Sequence, residues 1–354
     1  MQGRPYNIQW TILYRRDHFT IKESKALADK RKNPFLKGSM NSDKPDVLFA
    51  RPLYNYPLDE VAGFCEAHKL WEAEETDALL SAIAPTCRAA VTRAVFPEDW
   101  MDKLPNLGII SVCGVGYEGV AVEAARERGI VVTNTPDVLT EEVADYGVAL
   151  MLAVARRLAM GDRYVRDGRW PREGAMKYGR RVHGSRLGIL GLGRIGLAFA
   201  HRCKAFGMEI GYHNRNLRKD VEYGYFEDAV SLGRWADFFV IVTPGGESTR
   251  NLVDAAVIDA IGPEGVLVNI GRGQTVDDAA LISALNEGRL GAAGLDVFSD
   301  EPDVPDELIR MTDNVVLQPH QASATHDTRR AMSKLCMDNV RAFLEGSDPL
   351  TPVD

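Results

Sequence analysis

Gly191, Gly193 and Gly196 form G-x-G-x-x-G between an apolar run at 187–190 and a helical pattern that continues to Gly207. In that setting each glycine has its own task. The first permits a tight turn, the second lets backbone approach a pyrophosphate, and the third allows close packing of helix on strand. Arg194 and Ile195 then open a helix whose positive end faces the phosphates. About 20 residues into such a unit an acid commonly binds the ribose of NAD. Here the run "GYHNRN" supplies His213, Asn214, Arg215 and Asn216 instead. An acid would repel a 2′-phosphate, whereas a guanidinium offers it a charged, many-donor fork. Asn214 and Arg215 therefore point to NADP(H) as the preferred cofactor, with NAD(H) also admissible; the competing reading makes Arg215 a solvated loop residue.

Four more apolar runs follow: "DFFVIVTP" at 237–244, "GVLVNI" at 265–270, "AAGLDVF" at 292–298 and "NVVLQP" at 314–319. At or just past their carboxyl ends stand Thr243 with Pro244, Arg272, Glu301 and His320. Ligands of an open α/β sheet bind outside the carboxyl ends of its strands, so four strand ends aim polar groups at one crevice.

The elements that must hold these groups begin at residue 46. Short β-branched runs alternate there with helical patterns, which signals βαβ units and parallel sheet. "DVLFA", "AAVTR" and "LGIISVCG" read as strands, "PLDEVAGFCEAH" reads as a helix, and the stretch "RGIVVTNTP" leads on to the next helix. That helix starts near Thr140, with Thr140 as N-cap and Glu141 and Glu142 at the positive end of its dipole. Beyond Tyr146 this helix is apolar nearly all round, so burial on several sides is expected, with a domain interface or a partner subunit to supply the cover.

A chain of 354 residues exceeds the size at which single cores tend to split, which favours two domains. Its apolar and charged fractions, 45% and 26%, are ordinary for a globular protein. The net charge of −8 argues against general affinity for nucleic acid or an anionic membrane. Residues 1–40 are the exception, with nine Lys/Arg against three Asp/Glu, and the segment 1–45 reads as an N-terminal tail or upstream mis-start. Cys65, Cys87, Cys113, Cys203 and Cys336 show no metal-binding or disulfide spacing and are expected as buried thiols in a reducing compartment. No metal site is expected. With no targeting segment and no run long enough to span a bilayer, a cytoplasmic location is the default.

"GLGRIG", "NIGRGQTVD", "GLDVFSDEP" and "QPHQASAT", in that order, resemble the signatures of the D-isomer-specific 2-hydroxyacid dehydrogenases, in particular their glyoxylate and hydroxypyruvate reductases. "GVGYEGV" at 114–120 looks like that family's substrate loop, and the likeness extends over about residues 46–345. The resemblance implies two doubly wound parallel-sheet domains. A Rossmann cofactor domain, 135–325, would be inserted into a flavodoxin-like substrate domain, 46–134 and 326–354. It implies that Arg272 grips the substrate carboxylate, helped by the backbone amides of Val115 and Gly116. His320 would protonate the carbonyl oxygen, and Glu301 would orient His320 and favour its charged form. Asp296 and Thr243, followed by Pro244, would border the nicotinamide and its ribose. The helix from Thr140 would lie at a homodimer contact.

Taken singly, Arg272 could neutralise nearby carboxylates, Glu301 could be a turn acid and His320 a core histidine; the order of the motifs favours the catalytic set. His183, His201 and His326 lack such a context and count as structural, and Cys113 counts as a small apolar filler. Arg51 and Arg93, at strand ends, are candidates for reaching the substrate's distal group. Gly271, Gln274 and Ala322 depart from the family's common alanine, serine and glycine, which bears on substrate shape. The expected activity is NADPH-preferring reduction of small 2-keto acids to D-2-hydroxy acids. The alternatives are a cofactor-sensing binding protein and a phosphoglycerate dehydrogenase without a regulatory domain.

Overall fold

The computed structural model describes residues 44–353 apart from Asn55 and Ala94. The expected N-terminal extension therefore lies outside the described residues, save for its last two positions. Two parallel sheets organise the rest. The first runs in the spatial order Glu66–Lys69, Asp46–Phe49, Cys87–Thr92, Ile109–Val112, Val131–Thr133. Numbered along the chain, that order is 2-1-3-4-5, the flavodoxin-like winding.

The second sheet has seven strands. In spatial order they are Gly224–Tyr225, Glu209–His213, Arg186–Leu190, Phe238–Ile241, Val266–Asn269, Ala292–Leu295 and Val315–Leu317. This is the Rossmann order 3-2-1-4-5-6 with one strand added. Its central strands, FFVI and VLVN, are buried throughout. Helices on both faces remove the need for an alternating pattern, so these strands read as continuous apolar runs. The doubly wound α/β class expected from the sequence is present in both sheets.

The helix His326–Leu344 returns to the first sheet, where Ser111 Oγ donates to Cys336 O at 2.9 Å. Val353 N donates to Val132 O at 2.9 Å and ties the chain's end to the same sheet. The helix Thr140–Ala155 packs Val143, Gly147, Leu150 and Val154 inward, against the helix Arg194–Lys204 and the second sheet. Arg202 adds ion pairs to Glu141 at 2.7 Å and Asp145 at 2.5 Å.

Two local expectations are corrected. Leu139, not Thr140, holds the N-cap position, without a side-chain cap, and Thr140 is the first helical residue. Within the single chain, Val148, Ala149, Leu152 and Ala153 of that helix remain partly or fully exposed. The run "PLDEVAGFCEAH" makes only a short 3-10 turn, Leu58–Glu60, and its end becomes the edge strand Glu66–Lys69. His68 on that strand pairs with Asp46 at 2.7 Å. An edge strand with polar residues on both faces carries no apolar alternation, so its period was not readable.

Candidate active site

The glycine loop meets each requirement of a dinucleotide cradle. Gly191 has φ +100°, and a Cβ there would sit 2.9 Å from Thr243 N. A Cβ on Gly196 would lie 2.4 Å from Gly191 O, so only glycine lets the helix approach the strand. Gly193 supplies the N-cap and faces open space, with nothing within 4 Å of an added Cβ. Backbone donors at a helix N-terminus beside open space fit a pyrophosphate. Arg194 in the first turn pairs with Asp137 at 3.0 Å, and Ile195 is partly buried behind it.

Past the next strand, His213 Nδ1 donates to Phe226 O at 2.8 Å. Asn214 Oδ1 accepts from Leu192 N at 2.6 Å, which makes Asn214 a brace for the glycine loop. Arg215 is exposed and has no charged partner among the described residues. Sequence reasoning missed Arg218, which donates to Leu192 O at 2.9 Å and also pairs with Asp220. Two residues apart, Arg218 and Asp220 read in sequence as an ordinary surface pair.

The remaining groups stand on adjacent parallel strand ends. Thr243 is buried with its Oγ1 3.4 Å from that of Thr275, and Pro244 beside it is exposed. Arg272 Nη1 donates to Gly271 O at 2.8 Å. Its guanidinium lies on Gly116 so closely that a Cβ there would be 1.7 Å from Nη2. Gly116 and Arg272 are thus brought together as expected, and the adjoining Val115 carbonyl accepts from Asn134 Nδ2 at 2.8 Å.

Glu118, two residues along the same loop, was not singled out from the sequence. Its Oε1 lies 3.3 Å from Arg272 Nε and accepts from Gly245 N at 2.9 Å. Burial opposes its ionisation, yet the Arg272 charge and the amides of Glu118 and Gly245 hold its carboxyl below the usual range. It joins the substrate loop to the rim of the second sheet.

His320 Nδ1 and Glu301 Oε2 are 2.7 Å apart, and Glu301 Oε1 accepts from Phe298 N at 3.1 Å. Burial works against the Glu301 charge, but the His320 hydrogen bond and charge, the Phe298 amide and Arg272 prevail and lower its pKa. His320 sits in the left-handed region at φ +52°. Such a backbone costs on the order of 1–3 kcal/mol in a non-glycine residue and persists only where its surroundings impose it.

Asp296 imposes it. The Asp296 carbonyl accepts from His320 N at 2.8 Å, and its carboxylate accepts from Gln321 N at 2.7 Å and Ala322 N at 3.0 Å. Asp296 is fully buried, and burial raises its pKa despite those amides. In this structure its carboxylate shapes the His320 loop.

A cleft of about 470 Å³ holds Glu301 and His320, and Tyr54, Arg93 and Arg329 line it as well. Of the two arginines suggested for a distal group, Arg93 lines this cleft and Arg51 does not. His326, taken as structural from sequence, also lines it. Its position as the first residue of the helix His326–Leu344 brings it there, which no local motif signals. The five cysteines are buried and unpaired, and no group of three metal-ligating side chains occurs among the described residues.

The profile of the D-isomer specific 2-hydroxyacid dehydrogenase NAD-binding domain matches residues 148–322. A glyoxylate/hydroxypyruvate reductase A from Arabidopsis thaliana is 44% identical over 309 residues, covering 87% of this chain and 98% of that one. A 2-ketogluconate reductase from Gluconobacter oxydans is 41% identical, covering 88% and 99%. Among solved structures, the NADPH-dependent glyoxylate/hydroxypyruvate reductase of Sinorhizobium meliloti, in complex with NADP and malonate, superposes with TM-score 0.83 at 42% identity, covering 88% and 97%. With the cradle and the strand-end groups in place, the chain belongs to the D-isomer-specific 2-hydroxyacid dehydrogenases and is a nicotinamide-dependent oxidoreductase of that family.

Proposed function

We propose that this enzyme reduces small 2-keto acids such as glyoxylate and hydroxypyruvate to D-2-hydroxy acids, with NADPH preferred. The observation that carries the reading is the 2.7 Å pair of Glu301 and His320 facing the cleft. The nicotinamide, when bound, supplies the hydride. Every other task falls to the chain's own residues. With Nε beside Glu118 and Nη1 on Gly271 O, Arg272 keeps the Nη2 donors and one Nη1 hydrogen for a substrate carboxylate. Glu301 fixes Nδ1 of His320, so Nε2 is the atom that protonates the carbonyl oxygen, and accepts the proton in the reverse direction. Asp296 holds the loop that aims the ring.

Exposed Arg215 supports the NADPH preference, since no charged group among the described residues engages its guanidinium. Residues 135–325 serve as the cofactor domain, and 46–134 with 326–354 as the substrate domain. The enzyme acts as a homodimer. Val148, Ala149, Leu152 and Ala153 form an apolar stripe on the helix Thr140–Ala155, and Leu158, Val165, Trp170 and Tyr178, in the segment that follows, are 56–96% exposed. Two-fold dimers are the commonest way to cover such a surface.

A panel of 2-keto acids assayed with both cofactors tests the reading. It predicts steady NADPH oxidation with glyoxylate and hydroxypyruvate, and slower turnover with NADH. NADPH binding without oxidation by any keto acid would instead favour a cofactor-sensing protein.

A further inference from the structure

The wall of the cleft carries positive charge that reduction of a two-carbon acid does not use. The winding of the first sheet reverses between the strands Asp46–Phe49 and Cys87–Thr92, and crevices open at such switch points. Tyr54 follows the first of these strands and Arg93 the second. Arg329 comes from the first turn of the helix His326–Leu344, whose N-cap Thr325 also lines the cleft.

The Arg93 Cζ lies 3.8 Å from the Tyr54 ring centroid, and the Arg329 Cζ lies 4.0 Å from it. Both guanidiniums therefore lie against the same aromatic ring. Ser333 Oγ, donating to Tyr54 O at 2.8 Å, anchors Tyr54. Stacking orders an arginine while leaving its in-plane N–H donors available. Neither Arg93 nor Arg329 has a carboxylate partner among the described residues, and the one acid lining the cleft, Glu301, is bonded to His320.

We infer that Arg93 and Arg329, held on Tyr54, form a second anion subsite, and that the preferred substrates are 2-keto acids carrying a carboxylate or phosphate at the end away from the carbonyl. The inference rests on the reductase reading and adds a substrate class to it. Two like charges held against one ring, with no carboxylate partner among the described residues, repel each other, and a distal anion relieves that repulsion while Arg272 holds the other end.

The test compares matched pairs with NADPH as reductant: oxaloacetate against 2-oxobutanoate, and 3-phosphohydroxypyruvate against hydroxypyruvate. The wild type, Arg93→Met and Arg329→Met are assayed, each normalised to its own kcat/KM for glyoxylate. A charge-assisted contact is worth about 10-fold to 100-fold in affinity. The charged member of at least one pair is therefore expected to lead by about 10-fold or more, and the lead to shrink to about 3-fold or less in both variants. The pair that shows it tells carboxylate from phosphate. A lead of neither charged member, or a lead that survives both substitutions, overturns the inference while glyoxylate turnover leaves the reductase reading standing. Absence of turnover with every acid, glyoxylate included, removes both.

Discussion

The rims of the two sheets treat charge in opposite ways. On the seven-stranded sheet the polar groups are largely engaged within the fold: His320 with Glu301, Arg272 with Glu118, Asp296 with the amides of the His320 loop, Asn214 with the glycine loop. On the five-stranded sheet's side, Arg93 and Arg329 lean on one tyrosine and have no carboxylate partner among the described residues. A group that must act on a reacting atom gains from being held before substrate arrives, because its dipoles then need no reorganisation. A group that selects among substrates gains from leaving its charge open for one.

The largest expected effect lies in the engaged rim. His320→Gln should lower kcat by roughly 100-fold to 10,000-fold, the usual range for a lost general acid. NADPH affinity, measured by fluorescence titration, should stay near wild type. Near-normal turnover would remove His320 from the chemistry and with it the contrast between the rims. Arg215 is the exposed exception on this rim. Arg215→Ala should cost about 10-fold to 100-fold in kcat/KM for NADPH and little for NADH. An unchanged ratio between the cofactors would return Arg215 to the solvated loop.

Glu118→Gln is a smaller change that sharpens the comparison, since it loosens a group holding Arg272 without touching His320. It should raise KM for the keto acid by about 10-fold, as expected for a charge-assisted contact, and lower kcat less. An effect on kcat alone would contradict a positioning role. The smallest effect concerns stability. The folded-state pKa of Glu301 is lowered, so the contribution of its charge is complete above the unfolded carboxylate value and is lost as pH falls through the lower folded one. The melting-temperature gap between wild type and Glu301→Gln should therefore be open at about pH 6 and close on acidification below about pH 4. A gap that widens with acid would reverse the sign of this linkage.

Much of the engaged rim was legible in the sequence for a physical reason. A parallel sheet covered on both faces writes its strands as apolar runs, and residues just past a run, such as Arg272 or His320, stand at the carboxyl ends of the strands. What escaped depends on approach across the chain. Glu118 reaches Gly245 from 127 residues away, and Arg329 meets Tyr54 through a helix that returns to the first sheet. Neither contact leaves a local pattern. Two edge strands escaped for a different reason: Gly224–Tyr225 has only two residues, and Glu66–Lys69 lacks an apolar face. Asn214 was singled out for its type alone, and its bond to Leu192 N was not legible from it.

The central claim is that the groups on this rim orient and protonate a 2-keto acid while it receives hydride from the nicotinamide. The most direct measurement follows deuterium from NADPH labelled at C4 of the nicotinamide, on the face from which hydride leaves, into hydroxypyruvate, and reads the product by NMR and chiral separation. The account predicts D-glycerate carrying the deuterium at C2. Unlabelled glycerate, the L-isomer, or labelled NADPH left intact beside unreacted hydroxypyruvate would contradict it.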